Sequence, residues 1–281
     1  MIDYKYHVTS LVAVFLALGV GILIGSMALG QEFIGEQQEA LINRLEGDFQ
    51  QLRIQNGLTR SELVAANNKI KEYEEICRKM MPAIIKDKLQ NYRVVVIETG
   101  NGCSLENILG PLETAGAEVE AVISVLSDFS LANVSTLNYY PENTKDGNVL
   151  NMLGEAIIFG DEKGVIDDLA KRKLVKFSGS TGRFIDAVIL AGGSKTDMAE
   201  QAKWLDLGLT EYFLQNNVNV IGVEPSSAGF SYMSFYRSKP IATIDNIDSI
   251  PGQISLVYSV LGEKGHFGIK ETSETLMPEL W

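Results

Sequence analysis

Three sulfur-bearing side chains lie close together in the first third of the chain and are candidates for binding a soft metal ion. Cys77, Met80 and Met81 stand three and four residues apart, which brings their sulfur atoms near one another if the segment is helical. Thiolate and thioether sulfurs are ligands that Cu(I) prefers. The alternative is structural, because cysteine and methionine are also common fillers of an apolar seam between helices.

The chain is poor in the residues that most metal and catalytic sites use. It has two histidines, His7 and His266, and two cysteines, Cys77 and Cys103. These are too few for a multi-histidine metal centre, a paired-cysteine zinc site or a disulfide framework. No Gly-x-Ser-x-Gly motif and no phosphate-binding P-loop occurs in the sequence. We therefore predict that the protein is not an enzyme and has no resident cofactor.

Two glutamates and a glycine-bearing loop mark where the chain would bind a small ligand. Glu98 and Glu224 each stand at the end of a predicted strand where α/β folds place ligands, and together they could form a carboxylate pair. The alternative, which is commoner, is that both are solvated residues at strand ends. The loop 100–102 (Gly-Asn-Gly) resembles half of a dinucleotide fingerprint, but Leu105 stands where the third glycine belongs. Glu120, near the second strand, is the matching candidate for a ribose contact. These residues support a small-ligand sensor as an alternative function.

The elements that position these residues begin with an apolar amino-terminal segment. Residues 8–29 carry no charge and would span about 33 Å as a helix, close to the hydrocarbon thickness of a bilayer. We interpret residues 1–30 as an uncleaved membrane anchor, with a cleaved signal peptide as the alternative. Lys5 precedes the segment and acidic residues follow it, which favours a cytoplasmic amino terminus and an extracytoplasmic remainder.

A seven-residue repeat follows the anchor and predicts a coiled coil over residues 31–81. With Ile42 at position a, the a and d positions continue for more than five heptads, and Pro82 stands just past the last one. A helix with one narrow apolar stripe needs a partner, either another copy or a different protein. The alternative is a helix that folds back on the soluble domain. The repeat consists of Ile42, Leu45, Phe49, Leu52, Asn56, Thr59, Leu63, Ala66, Ile70, Tyr73, Cys77 and Met80.

Seven residues are our candidates for helix–helix contacts. Small residues in the anchor allow two backbones to approach closely. Asn56 is a polar residue at an a position, which lowers stability but specifies the register of a dimer. The candidates are Gly21 and Gly25 in the anchor, followed by Leu45, Leu52, Asn56, Leu63 and Ile70 in the repeat.

Residues 90–281 are predicted to form one α/β domain. Apolar strands such as Arg93–Glu98 alternate with helices, which is typical of a mostly parallel, Rossmann-like or flavodoxin-like sheet covered on both faces. Residues 126–183 have a less regular pattern. Within them we predict a helix at 149–154, a strand at 156–159, a helix at 165–169 and a hairpin at 176–183. The formal net charge of −12 argues against nucleic-acid binding, because an acidic surface repels phosphate.

Both ends of the chain resemble the mycobacterial copper transport protein B (MctB) family, which includes the corynebacterial septal protein SteB. The opening MIDYKYHVTSLVAVFLALG carries the resemblance at one end. At the other end it rests on TIDNID (243–248), PGQ (251–253), GEKGHFG (262–268) and LMP (276–278). The likeness covers the whole order of anchor, coil and α/β domain.

The resemblance implies two functions. One is copper transport, with a channel role in an outer membrane; the other is an envelope or septal role with a membrane partner of the SteA type. A lone apolar helix without a polar stripe cannot line a channel. We therefore expect a single-pass, membrane-anchored envelope protein that acts as a coiled-coil scaffold, pairing with a second copy or a SteA-like partner. Copper transport or homeostasis is the alternative.

Within the closing motif, His266 and Phe267 stand between two glycines. They are either a docking loop for a partner or a tight turn that packs an aromatic ring against the sheet, and the turn composition favours the second interpretation.

Overall fold

A computed structural model describes residues 4–127, 129 and 148–280, without the side chains of 28–37 and 148. The chain divides into two compact units, Met1–Glu72 and Tyr73–Trp281. The first helix, α1 (Tyr4–Ile85), is continuous from the first unit into the second.

The first part of α1 meets the requirements for a membrane span. Tyr4–Met27 is helical throughout, with a mean hydropathy of 2.5, and none of it is buried. This confirms an apolar amino-terminal helix whose length and composition suit an anchor or a signal sequence.

The heptad stripe of α1 is exposed along its length. The exposed fraction of its large apolar side chains lies between 47% at Leu45 and 65% at Tyr73. The helical state predicted for this segment is confirmed, whereas pairing through the stripe remains a prediction.

Helix α1 does not stop at Pro82. It continues to Ile85, and the Lys86 N–H donates to the Pro82 carbonyl at 2.9 Å. A proline inside a helix costs about 3 kcal/mol. Ile85 and Leu89 are fully buried in the core of the second unit, and each large apolar side chain so buried contributes about 1.5–3 kcal/mol. Their burial is sufficient to offset the proline.

The second unit is built on a sheet with seven described strands in the order β3-β2-β1-β4-β5-β6-β7. β3 is antiparallel to its neighbour, and the other pairs are parallel. This confirms the predicted mostly parallel α/β sheet. The strands are β1 (Arg93–Glu98), β2 (Glu118–Val125), β3 (Val175–Gly179), β4 (Ala187–Ala191), β5 (Asn219–Val223), β6 (Ala242–Ile244) and β7 (His266–Phe267).

Helices cover both faces of this sheet. Alternate side chains of β1 enter different cores, with Val95 and Ile97 in one and Val94 and Val96 in the other. Both faces are apolar, which explains the continuous hydrophobic runs of the central strands. The helices after α1 are α2 (Glu106–Thr114), α3 (Asn148–Phe159), α4 (Val165–Lys171), α5 (Ala199–Gln201), α6 (Leu207–Gln215), α7 (Met233–Tyr236) and α8 (Ile250–Val260), and a π-helical turn, Ala202–Asp206, joins α5 to α6.

Two local predictions were wrong. The strand predicted at 156–159 is the last turn of α3, because Leu150, Leu153 and Ile157 bury one helical face. An apolar run this short does not distinguish a strand from a buried helix. The hairpin predicted at 176–183 is the single edge strand β3, which pairs with β2. The helices predicted at 149–154 and 165–169 are present within α3 and α4.

The burial of Ile85 generates a prediction about stability. We expect Ile85→Ala to lower the free energy of unfolding of the second unit by about 2–5 kcal/mol, because the change leaves a cavity in a closed core. Urea denaturation of the detergent-solubilised chain, followed by tryptophan fluorescence, measures this. The control Ile76→Ala, on the same helix but 46% exposed, should change stability by less than about 0.5 kcal/mol. Equal losses in both variants would contradict the account.

Candidate functional site

The sheet changes winding direction between β1 and β4, where parallel α/β folds bind ligands outside the carboxyl ends of the strands. Here the chain itself closes that position. The backbone N–H groups of Thr99 and Gly100 both donate to the Ala191 carbonyl at 3.0 Å. A side chain at Gly100 would collide with the Gly193 carbonyl. The glycine of the 100–102 loop is therefore required by close backbone packing.

A buried carboxylic acid lies under this closure. Asp206 is fully buried at the end of the π-helical turn, and its Oδ1 accepts hydrogen bonds from the hydroxyls of Thr99 and Tyr236, both at 2.5 Å. Its Oδ2 has no hydrogen-bond partner among the described residues. Burial raises the pKa of Asp206 to about 7, although both hydrogen bonds act to lower it. The cluster links the ends of β1, α7 and the π turn.

The predicted ligand residue Glu224 is engaged within the protein. It is fully buried at the end of β5 and accepts from the Ser231 hydroxyl at 2.5 Å and the Tyr232 N–H at 2.8 Å. The Lys270 ammonium neutralises it at 2.6 Å. Glu98 is only partly buried, and no hydrogen bond or ion pair of the described residues joins it to Glu224. The structure therefore gives Glu224 a structural partner and does not show a working carboxylate pair.

The closing motif of the chain lies over the neighbouring strand end. Asp245, buried after β6, accepts from the N–H groups of Ile269 and Lys270 at 2.8 and 3.0 Å and from the Ser273 hydroxyl. Gly268 adopts φ 139° directly against the Asp245 carboxylate, where a side chain would collide. The segment that follows β7 is thus fastened to the sheet edge by one buried carboxylate.

The His266-Phe267 pair forms β7 and not a free docking loop. Phe267 is buried, and His266 Nδ1 lies 2.9 Å from the Thr243 hydroxyl of β6. The predicted packing of the aromatic ring against the sheet is therefore confirmed, whereas the predicted tight turn is a short strand.

The three sulfur candidates do not share one environment. Cys77 and Met80 are exposed on α1, whereas Met81 is buried in the core of the second unit. Cys103 is partly buried, and burial, followed by the charges of Glu98 and Asp248, raises its thiol pKa to about 12. Within the described ranges, no group of three or more His, Cys, Asp and Glu side chains is arranged to hold a metal ion.

Glu120, the candidate for a ribose contact, is held by its own neighbours. It lies 3.3 Å from the Arg93 guanidinium and 3.4 Å from that of Arg183, and it accepts from Ser180 at 3.2 Å. These contacts tie β2 to β1 and to the segment after β3. Its surroundings are those of a structural ion pair.

Sequence reasoning missed Asp206, Asp245 and Lys270. The signal for Asp206 was present, because a carboxylate between Leu205 and Leu207 lies within an apolar run. The sequence carried no comparable signal for Lys270, whose role depends on a loop that returns to β5.

These features define a mixed α/β protein. Its first helix is long and begins with an apolar segment, and the protein's own side chains contact the carboxyl ends of its strands. A family model described as "Copper transport outer membrane protein, MctB" matches residues 1–278, and the chain belongs to this family. This confirms the resemblance found at the two ends of the sequence. A search of curated proteins finds no match.

The buried carboxyl generates a prediction about pH. The pKa of Asp206 is higher in the folded chain, about 7, than its ordinary value of 3.8, so the proton stabilises the fold at low pH and this contribution is lost as pH rises toward 7. Asp206→Asn cannot lose a proton there. Between pH 4 and 8 we expect the wild type to lose about 4 kcal/mol of unfolding free energy relative to this variant.

Urea denaturation at a series of pH values measures the difference. The exposed Asp167→Asn on α4 is the matched control and should follow the wild-type profile. A constant difference between Asp206→Asn and wild type at every pH would contradict a protonated Asp206.

Proposed function

We propose that this protein is a membrane-anchored envelope scaffold that associates with a partner through the heptad stripe of α1. The observation that carries the proposal is the exposure of that stripe. Exposed apolar surface that is contiguous and ordered marks an interaction site, because leaving it in water is costly. Eight large apolar side chains of the stripe are exposed: Ile42, Leu45, Phe49, Leu52, Leu63, Ile70, Tyr73 and Met80.

The membrane part of the proposal rests on the apolar span and on the family. Tyr4–Met27 has the length and composition of a bilayer span, and the family description names a membrane protein. We propose that this span remains attached and that the amino terminus faces the cytoplasm, as the charge on each side favours.

The sheet edge supports an interaction role over catalysis or small-ligand sensing. Glu224 is neutralised by Lys270, and the Gly100 loop lies against Gly193. A ligand at these two positions would have to displace protein groups that already contact one another. We propose that the α/β domain presents its outer surface to partners.

The scaffold proposal predicts loss of association when the stripe is made polar. We expect Leu45→Asp combined with Leu52→Asp to abolish the complexes that a lysine-reactive crosslinker traps in native membranes, because carboxylates cannot be buried in an apolar seam. Immunoblotting of the full-length chain measures this.

The matched control is Ile54→Asp combined with Leu58→Asp. These residues are 61% and 60% exposed on the same helix but lie outside the a and d positions. We expect the control to retain the complexes. Equal loss in both double variants would refute pairing through the stripe.

Copper binding is the second candidate, and family membership favours it. Cys77 and Met80 are exposed and occupy a and d positions, so two paired copies would bring four soft ligands together. Under this candidate, Cys77→Ser removes Cu(I) binding by the purified chain, measured by competition with a chromophoric chelator. Cys103→Ser should leave it unchanged, since burial keeps that sulfur as a thiol. Absence of Cu(I) binding by the wild type would eliminate the candidate.

A further inference from the structure

We propose that the partner of the stripe is a second copy of this chain, parallel and in register, and that one seam runs through both the coil and the membrane span. This inference rests on the proposed function and specifies its partner. Three observations carry it: the continuity of α1, the charges that flank the stripe, and the position of its one strongly polar residue.

The unbroken helix connects two seams that the sequence presents separately. Gly21 precedes Ile42 by 21 residues, which is three heptads, and Ala17 precedes Leu45 by 28 residues, which is four. Gly21 therefore occupies an a position and Ala17 a d position of the same repeat, since α1 is continuous from Tyr4 to Ile85. A straight α-helix drifts by about 20° per heptad, so the supercoiling of a paired coil brings the small residues onto the face of the stripe.

The residues that flank the stripe are complementary to a second copy. In a parallel dimer, each g residue faces the e residue five positions later on the other chain. Asp48 then faces Arg53 of the second copy, and Lys69 faces Glu74. Each attraction occurs twice, because the interface is symmetric.

The two intervening g–e pairs are also compatible with self-association. Gln55 faces Arg60 of the second copy, and Glu62 faces Asn67, so from residue 48 to residue 74 no g–e pair carries like charges. A chain selected only for a different protein would not need to complement itself at each of these positions.

Asn56 specifies the register. In the in-register dimer its amide meets Asn56 of the second copy, and the two side chains can hydrogen-bond to each other. A shift of one heptad would place the amide against Phe49 or Leu63 and leave it buried without a partner. The helix-weakening Gly47 and Gly57 lie at f and b positions, away from the seam.

Orientation follows from the anchor. Two copies inserted in one bilayer through Tyr4–Met27 project their helices from the same surface, so an antiparallel pair cannot form. The parallel arrangement is also the one in which the flanking charges match.

Cysteine crosslinking of the full chain in native membranes tests the inference. In a background of Cys77→Ser and Cys103→Ser, we expect Leu63→Cys, at an a position, to form a disulfide-linked dimer in most chains on treatment with diamide. Ser61→Cys lies two residues away at an f position and should give no more than about a tenth of that yield, because the two thiols face apart. Comparable yields would overturn the inference.

Register is tested with two differently tagged copies, one with Leu63→Cys and one with Ile70→Cys. We expect the mixed dimer to be at least tenfold weaker than either matched dimer. A mixed yield that equals the matched yields would overturn the in-register arrangement.

A charge exchange provides a readout that does not depend on introduced cysteines. Lys69→Glu places like charges opposite each other at two symmetric positions, and we expect about a fivefold weaker dimer in detergent. The exchange of both residues, Lys69→Glu with Glu74→Lys, should restore the wild-type dissociation constant, measured by sedimentation equilibrium. Failure of the double variant to recover would contradict the g–e pairing.

The outcomes separate this inference from the scaffold function. If Leu63→Cys crosslinks to a protein of different mass and never to itself, self-pairing is refuted while scaffolding through the stripe stands. If Leu63→Cys forms no crosslink and the Leu45→Asp, Leu52→Asp variant retains every complex, both are refuted.

Discussion

An α-helix has no interior, so a long continuous apolar surface on it is stable only when something other than its own backbone covers it. Helix α1 is 82 residues long and carries apolar side chains along its length. It meets this constraint in three ways. The end around Ile85 is buried in the core of the α/β unit. The first turns have the composition of a bilayer span, and between them lies an exposed stripe, for which we propose a second copy of the chain.

The polar end of the sheet follows a related rule, because buried polar groups must be hydrogen-bonded or neutralised. In many parallel α/β proteins the strand ends keep such groups available for a ligand. Here Glu224 is paired with Lys270, Asp245 fastens the closing segment, and Asp206 accepts from Thr99 and Tyr236. The edge is stabilised internally, which is consistent with a domain whose function lies on its outer surface.

Family membership and the chemistry of the chain point to somewhat different roles. The family description names copper transport, yet the described part of the chain offers few soft ligands, and Met81 is buried in the core while Cys77 and Met80 are exposed. A site shared between two paired helices would reconcile the two. The proposed dimer would serve both candidate functions, since it would cover the stripe and would also assemble the sulfur ligands.

The sequence by itself determined the features that depend on local patterns. The apolar span and the central strands such as Arg93–Glu98 were predicted with nearly the observed bounds. The seven-residue repeat predicted a helical segment, and that segment is helical. The resemblance at the two ends also sufficed to identify the family, because short motifs can be recognised without knowledge of the fold. In the less regular part, the short apolar run 156–159 lacked the length needed to separate strand from helix, and its prediction was wrong.

Only the tertiary structure decided what the chemically capable residues do. The sequence predicted Glu224 as a ligand residue, but in the fold Lys270, 46 residues later, neutralises it. Gly100 resembled part of a dinucleotide fingerprint, but the Gly193 backbone packs against it. Asp206 acquires its raised pKa only because the folded chain buries it completely, although the hydrogen bonds from Thr99 and Tyr236 act in the opposite direction. Likewise, the proposal that Gly21 and Ile42 share one seam rests on the continuity of the helix between them. Contacts between residues distant in sequence set burial and charge pairing, and no local pattern encodes them.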